Sequence, residues 1–181
     1  MNILTVVSLL PLKEGGGLSE RTINLAQSFS NIGYKSSILT LEIGDLDTRK
    51  NFLKNVDIYS IRCVFKRFQI PAIEYFKIKQ ILKTVNIIHF VGYWSFLHVL
   101  VSFIALKEKI PWVICPAGAL PIQGRSIYFK QAFNLLFGNK LIKNSYGFIS
   151  ITNNEISDFL EYKIPKKKIK VFPNGVKKED F

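Results

Sequence analysis

Three short segments carry residues able to meet an anionic or hydroxyl-rich ligand. The first is Gly15-Gly16-Gly17, followed by Ser19. Glycines between a strand and a helix let backbone N–H groups approach a phosphate at the positive end of the helix. Glu20 stands where the last glycine of a dinucleotide fingerprint belongs, and no Gly-Lys-Ser/Thr follows to make a P-loop. On its residues alone the segment is either a tight turn or a ligand-approach loop. The second segment runs from His89 to Trp94, HFVGYW. A histidine in an apolar strand is either a core residue or a cleft group. Gly92 permits close approach here, and Tyr93 and Trp94 offer flat faces with polar handles. His98, on the next helix, reads as structural. The third segment is Pro116-Ala117-Gly118-Ala119-Leu120. Around it, no Asp or Glu occurs between Lys109 and Asn154, while Lys109, Arg125, Lys130, Lys140 and Lys143 do. Such a stretch suits phosphate groups or an anionic lipid surface, or is a solvated face.

The elements that would position these segments alternate. Residues 2–10 form a continuous apolar run that suits a strand buried on both faces. Residues 11–17 read as a loop. A helix follows from Ser19, with Ile23, Leu25, Ala26, Phe29 and Ile32 on one face and Gly33 at its C-terminal cap. Strands are expected at 35–41, 56–61, 86–91, 112–115, 146–152 and 169–172. Helices are expected at 73–84, 95–107, 127–143 and 153–160. This alternation predicts an α/β fold: a Rossmann-like, three-layer domain with a mostly parallel sheet. Ligands of such sheets bind at the carboxyl ends of the strands, where all three segments fall.

Composition narrows the class. The chain has 181 residues, 48% of them hydrophobic, with 15 Phe, 7 Tyr and 2 Trp. That excludes a disordered basic tail. Two cysteines, Cys63 and Cys115, cannot make a disulfide framework and read as buried structural thiols. The most apolar run, 96–106, is shorter than the roughly 20 residues of a membrane span. The N-terminus lacks the basic region and cleavage site of a signal peptide, so the expected compartment is the cytoplasm. No metal-ligand cluster or nucleophile elbow appears, and no metal is expected. The net charge of +12 predicts an anionic partner. No RNA-binding aromatic signature is present, and nucleic acid is not the expected partner.

Five segments in order resemble glycosyltransferase family 4 enzymes of the GT-B fold. They are the glycine loop with LSERTINLAQSFSNIGYKSSILT, then NIIHFVGYWS, PWVICPAGAL, FISITNNEISDF and KIKVFPNGVKKEDF. The resemblance covers nearly the whole chain. It implies the N-terminal, acceptor-binding half of a GT-B enzyme over 1–172, with 173–181 beginning the interdomain hinge. The C-terminal donor domain, with its acidic E-x7-E segment, is not in this sequence.

By the same resemblance the activity is retaining transfer of a sugar from a nucleotide-sugar to a glycan or lipid-linked acceptor, in surface polysaccharide or lipopolysaccharide synthesis, without metal. Gly16 and Gly17 would approach the donor phosphates. His89, Gly92, Tyr93, Trp94, Gly118, Arg125 and Lys130 would line the cleft and acceptor pocket, and Asn174 and Gly175 would belong to the hinge. His89 is the one candidate for a catalytic role. Relatives carry a second histidine where this chain has Val91, so no catalytic base is assigned. Ala117, Cys115 and Lys177 also depart from the family pattern. The chain alone is expected to be catalytically incomplete, to work with a separate donor domain, and to sit peripherally on an anionic membrane surface. Two other readings stand beside this one: a nucleotide- or dinucleotide-binding Rossmann module, and a non-catalytic basic scaffold.

Overall fold

The computed structural model describes residues 1–122, 124 and 126–175. Its centre is a seven-stranded parallel sheet in the order β3-β2-β1-β6-β7-β8-β9. β1 (Asn2–Val6) is buried along its whole length, as expected of a central parallel strand. α1 (Leu12–Asn31) leads to β2 (Lys35–Leu41), and the short α2 (Asp47–Lys50) to β3 (Val56–Ile61). A hairpin of β4 (Cys63–Phe65) and β5 (Ile70–Pro71) follows. Then come α3 (Tyr75–Leu82), β6 (Ile87–Val91), α4 (Phe96–Glu108) and β7 (Trp112–Cys115). The chain continues through α5 (Ile127–Phe133), α6 (Asn139–Lys143), β8 (Gly147–Ser150), α7 (Ile156–Glu161) and β9 (Ile169–Val171).

Right-handed crossovers decide which layer each helix joins. The chain moves one way from β1 to β3 and the other way from β6 to β9, so α1 packs on one face and the later helices on the other. The core divides accordingly. Ile23 and Ala26 of α1 meet Val7, Ile38 and Val91. On the other face, Ile78, Leu97, Leu141 and Phe159 meet Leu4, Leu39, Phe90 and Ile114. The expected Rossmann-like, mostly parallel α/β architecture is therefore the observed one.

Several local readings are corrected. The segment 11–17, expected as a loop, is helical from Leu12 and broken at Gly16, where φ is 52° and ψ is −139°. Only glycine adopts that backbone without strain. The helix 127–143 is continuous, but Asn134–Gly138 winds as a π-helix. The hairpin 63–71 and α2 were not expected at all. β4 carries Val64 and Phe65 outward, 65% and 48% exposed, so it shows no alternation to read. Cys63 sits on that strand half-buried, whereas the sequence reading placed it in a core; Cys115 is fully buried. Residues 176–181 of the expected hinge lie outside the described residues.

Candidate functional site

A cleft of about 240 Å³ opens at the carboxyl ends of β1 and β6. One wall is Val7, Ser8 and Leu9, with Gly15 and Leu18 of α1. The facing wall is the segment from Val91 to Ser95. Gln69 from the hairpin, Glu14, His98 and Ala119 complete it. Local chemistry explains how these backbones come so close. At Gly15 a side chain would collide with the Leu9 carbonyl and with Ser19. The broken turn at Gly16 then starts the long part of α1 directly over the end of β1. Among the described residues, chain neighbours aside, no atom lies within 4 Å of where side chains at Gly16 or Gly17 would begin. Gly92 has a φ of 90° and turns the chain from β6 toward α4.

Ser95 is the N-cap of α4, its hydroxyl accepting from the His98 backbone N–H at 3.3 Å. The same oxygen lies 2.7 Å from Ser8 Oγ, which joins the two walls of the cleft. His98 is fully buried, and burial pushes its pKa down to about 3. As a neutral ring it donates from Nε2 to the Val6 carbonyl at 3.1 Å. Read from the sequence as structural, it is buried and also borders the cleft.

His89 pairs in register with Thr5 and Val113 in the middle of the sheet. It lies on the face of Val91, which packs under α1. It is 4% exposed, neither ring nitrogen has a partner among the described residues, and it is not among the residues lining the cleft. Burial, and second the positive charge of Arg21, lower its pKa to about 4. The imidazole is neutral at pH 7 and sits one pleat below the cleft floor.

Tyr93 is buried, and its hydroxyl donates to Asn134 Oδ1 at 2.9 Å. Trp94 is half-buried and donates from Nε1 to the Ala119 carbonyl, which fixes the plane of its ring. The Lys130 ammonium lies 5.4 Å from the centre of that ring. Gly118 has a φ of 79° beside Ala117 at 50°, in the turn after β7. Next to it, Glu155 accepts from Ile151 N at 2.8 Å and Ser150 Oγ at 3.0 Å, closing the turn after β8. Arg125 lies outside the described residues. Asn174 and Gly175 run along α1: Arg21 donates to Asn174 Oδ1 and, at 3.5 Å, to the Phe172 carbonyl. Gly175 borders a groove with Glu20, whose carboxylate pairs with the buried Arg49. The residue that stands where a dinucleotide fingerprint has its last glycine is thus one half of an ion pair.

The structure brings Gly92, Tyr93 and Trp94 together in the cleft, with Lys130 at its edge, and leaves His89 beneath. Sequence reasoning missed Ser8, Ser95, Glu14 and Gln69. Ser95 had a signal, since it precedes an apolar helix as a cap. Gln69 had none, because the hairpin that carries it was unread. Hydroxyls, a carboxamide, a carboxylate and an aromatic ring around one cleft suit a hydroxyl-rich ring. Among the described residues no group of three His, Cys, Asp or Glu could hold a metal ion.

Residues 15–180 match the family described as Glycosyltransferase Family 4. No curated protein sequence matches the chain. Solved structures share its fold. Anabaena Alr3699/HepE, solved in complex with UDP and glucose, superposes with a TM-score of 0.71 at 14% identity, over 97% of this chain and 45% of that one. A UDP-GlcNAc 2-epimerase from Neisseria meningitidis bound to UDP-GlcNAc gives 0.63 at 18% identity, over 96% and 47%. MurG from Acinetobacter baumannii gives 0.57 at 15% identity, over 99% and 47%. The chain therefore spans a little under half the length of these structures, and it corresponds to a Rossmann-like half of the GT-B fold.

Proposed function

The chain belongs to glycosyltransferase family 4, and we propose that it is the acceptor-binding half of a retaining enzyme. That enzyme moves a sugar from a nucleotide-sugar to a glycan or lipid-linked acceptor during surface polysaccharide synthesis. The observation that carries the reading is the cleft at the ends of β1 and β6, walled by Ser8, Ser95, Gln69 and the fixed indole of Trp94. Hydroxyl and carboxamide groups around an aromatic face bind a sugar ring by hydrogen bonds and stacking. The open backbone at Gly16 and Gly17, at the start of the long part of α1, supports approach of a donor phosphate. The UDP and glucose bound to Alr3699/HepE support a nucleotide-sugar donor.

In retaining transfer the departing phosphate must be met by positive charge. In the proposed division of labour that charge belongs to the donor side, and the half formed by residues 1–175 holds acceptor. The residues of the cleft need no metal for this role. Lys130, Lys140 and Lys143 on the helix 127–143 support peripheral binding at the cytoplasmic face of an anionic membrane. No helix among the described residues is long and apolar enough to cross one.

Trp94 fluorescence tests the reading. The purified chain is titrated with a panel of methyl hexosides and methyl N-acetylhexosaminides, and then incubated with UDP-glucose. Saturable quenching by one panel member, absent in Trp94→Phe, and no release of UDP are expected. Absence of any saturable response overturns the acceptor reading, and turnover of UDP-glucose overturns the half-enzyme reading. Binding to phosphatidylglycerol vesicles that high salt releases is expected of the peripheral surface.

A further inference from the structure

A parallel sheet has two ends, and the cleft occupies only the carboxyl end, past β1 and β6. At the opposite end, before the first residues of β7 and β8, lies a recess of about 540 Å³. β7 has four residues and a strand rises about 3.3 Å per residue. A sugar ring held in the cleft therefore does not reach the recess.

Three lysines line this recess, each from a different part of the chain: Lys109, Lys143 and Lys168. α4 ends at Glu108, and Lys109 follows in the left-handed conformation with a φ of 57°. Lys143 is the last residue of α6. Both stand at the negative end of a helix dipole, which favours a cation locally. Lys168 precedes β9, and its ammonium donates to the Ser145 carbonyl at 3.1 Å, in the recess wall. No Asp or Glu lines the recess, and none of the three lysines has a carboxylate partner among the described residues. Glu108, next to Lys109, pairs instead with Lys79 at 2.7 Å.

A smaller recess of about 280 Å³ adjoins the first. It shares Lys143 and Lys168, adds Lys163, and again has no acidic residue in its wall. Helix ends explain one lysine each. They do not explain Lys163 and Lys168, nor the want of any counter-charge among the described residues. Like charges gathered round one concavity repel, and an anion seated between them relieves the repulsion.

We propose that this recess binds a soluble polyphosphate, an anion whose linked phosphate groups meet two or three of these lysines at once. The lysine ammonium is a compact point charge that binds phosphate well. The lysines line a recess rather than a flat face. A membrane laid against the amino end of the sheet would also leave the cleft opening on the far side. Both points favour a soluble anion over lipid head groups. The inference does not depend on the acceptor reading.

Calorimetric titration of the purified chain tests it, with inorganic triphosphate, inorganic phosphate and phosphatidylglycerol vesicles as probes. Triphosphate is expected to bind saturably, about tenfold more tightly than phosphate because it meets more than one lysine, and to be released by high salt. Lys109→Gln and Lys168→Gln are each expected to weaken it about three- to fivefold, the worth of one exposed ion pair, with an unchanged circular dichroism spectrum. Lys143 is left intact because it also belongs to the basic helix 127–143. Lys13→Gln, in the first turn of α1 at the carboxyl end of the sheet, removes the same charge and should leave the affinity as it was. A loss in Lys13→Gln with none in the two recess variants places the anion at the other end of the sheet and overturns the inference. Equal affinity for phosphate and triphosphate overturns it too. So does vesicle binding that the recess variants abolish while triphosphate stays unbound, which would make the recess part of a lipid-facing surface. Trp94 quenching by methyl glycosides reports on the cleft alone, so failure of one reading is distinguishable from failure of the other.

Discussion

The Tyr93 hydroxyl donates to Asn134 Oδ1 at 2.9 Å, and this bond ties the cleft to the π turn of the helix 127–143. Asn134 in turn donates to Tyr162 Oη at 2.8 Å, and Tyr162 donates to the Leu120 carbonyl at 2.9 Å. The π turn and Gly138 belong to the same arrangement. The extra residue in the turn carries Asn134 inward, and any side chain at 138 would occupy the space of Asn134 Oδ1 and Tyr93 Oη. Burial raises the pKa of Tyr93, so the phenol remains a donor throughout the neutral range.

Removing the donor leaves a buried carboxamide oxygen unpaired. Tyr93→Phe is therefore expected to lower the free energy of unfolding by about 1–2 kcal/mol. Gly138→Ala should cost about 2–3 kcal/mol, because it overpacks a filled site. Urea unfolding followed by circular dichroism measures both. A double-mutant cycle between Tyr93→Phe and Asn134→Ala should show coupling, since the two groups share one bond. Additive losses would mean that the network does not act as a unit.

Stability should depend on pH below neutrality because of His89 and His98. Burial holds their folded pKa values near 4 and 3, well below the ordinary value of 6.5. Between 6.5 and these values the unfolded chain binds more protons than the folded one, so stability rises with pH there. It should be level above about pH 7, fall as pH drops through 6.5, and go on falling to about pH 3. His89 makes no hydrogen bond among the described residues, while His98 holds the end of β1. His89→Leu should thus flatten the slope without lowering stability at pH 8, by the rule that an unpartnered buried polar group is better replaced by an apolar one. Thermal unfolding from pH 4 to 8 checks both points, and an unchanged slope in His89→Leu would place the sensitivity elsewhere.

Much of this was legible in the sequence because a buried parallel strand announces itself. β7 falls on the expected residues because Trp112–Cys115 is apolar throughout and bracketed by prolines, while β2 and β3 do so on their β-branched and aromatic content. Gly33 could be read as the end of α1 because glycine's freedom at positive φ is a local property. What stayed hidden depends on tertiary contact. The hairpin 63–71 turns Val64, Phe65 and Phe68 outward, so Gln69 could not be placed. His89 has the same neighbours in sequence whether it lines a cleft or lies beneath one; only the packing of α1 decides. The helical turn 12–15 was masked by three glycines, each of which is there for a different physical reason.

Those reasons separate the three glycines by experiment. Gly15→Ala sets a methyl against the Leu9 carbonyl and should be the most destabilising. Gly16→Ala meets no atom but must hold a φ of 52°, at a cost of order 1–3 kcal/mol. Gly17→Ala meets no atom and has no positive φ, so its helix propensity should make it neutral or stabilising by up to about 1 kcal/mol. Melting temperatures should rank Gly15→Ala lowest and Gly17→Ala highest. A reversed order of the first two would mean that the break at Gly16, not the contact at Gly15, limits how α1 is seated.

The two thiols should differ sharply in reactivity. Cys115 closes β7 with no exposed surface, and burial raises its pKa, an effect that Arg21 opposes in part and Glu155 reinforces. Its thiolate is scarce and unreachable. Cys63 is half-buried on the hairpin, within reach of solvent. Under native conditions one equivalent of a disulfide reagent should therefore react, at Cys63, and the second only at the rate of unfolding. Peptide mapping after brief alkylation identifies the site. Rapid modification of Cys115 in the folded chain would mean that the turn from Pro116 to Leu120, whose backbone shapes the cleft beside Trp94, opens without global unfolding. In that event the cleft would be a mobile surface, and sugar affinity should fall with temperature more steeply than stability does.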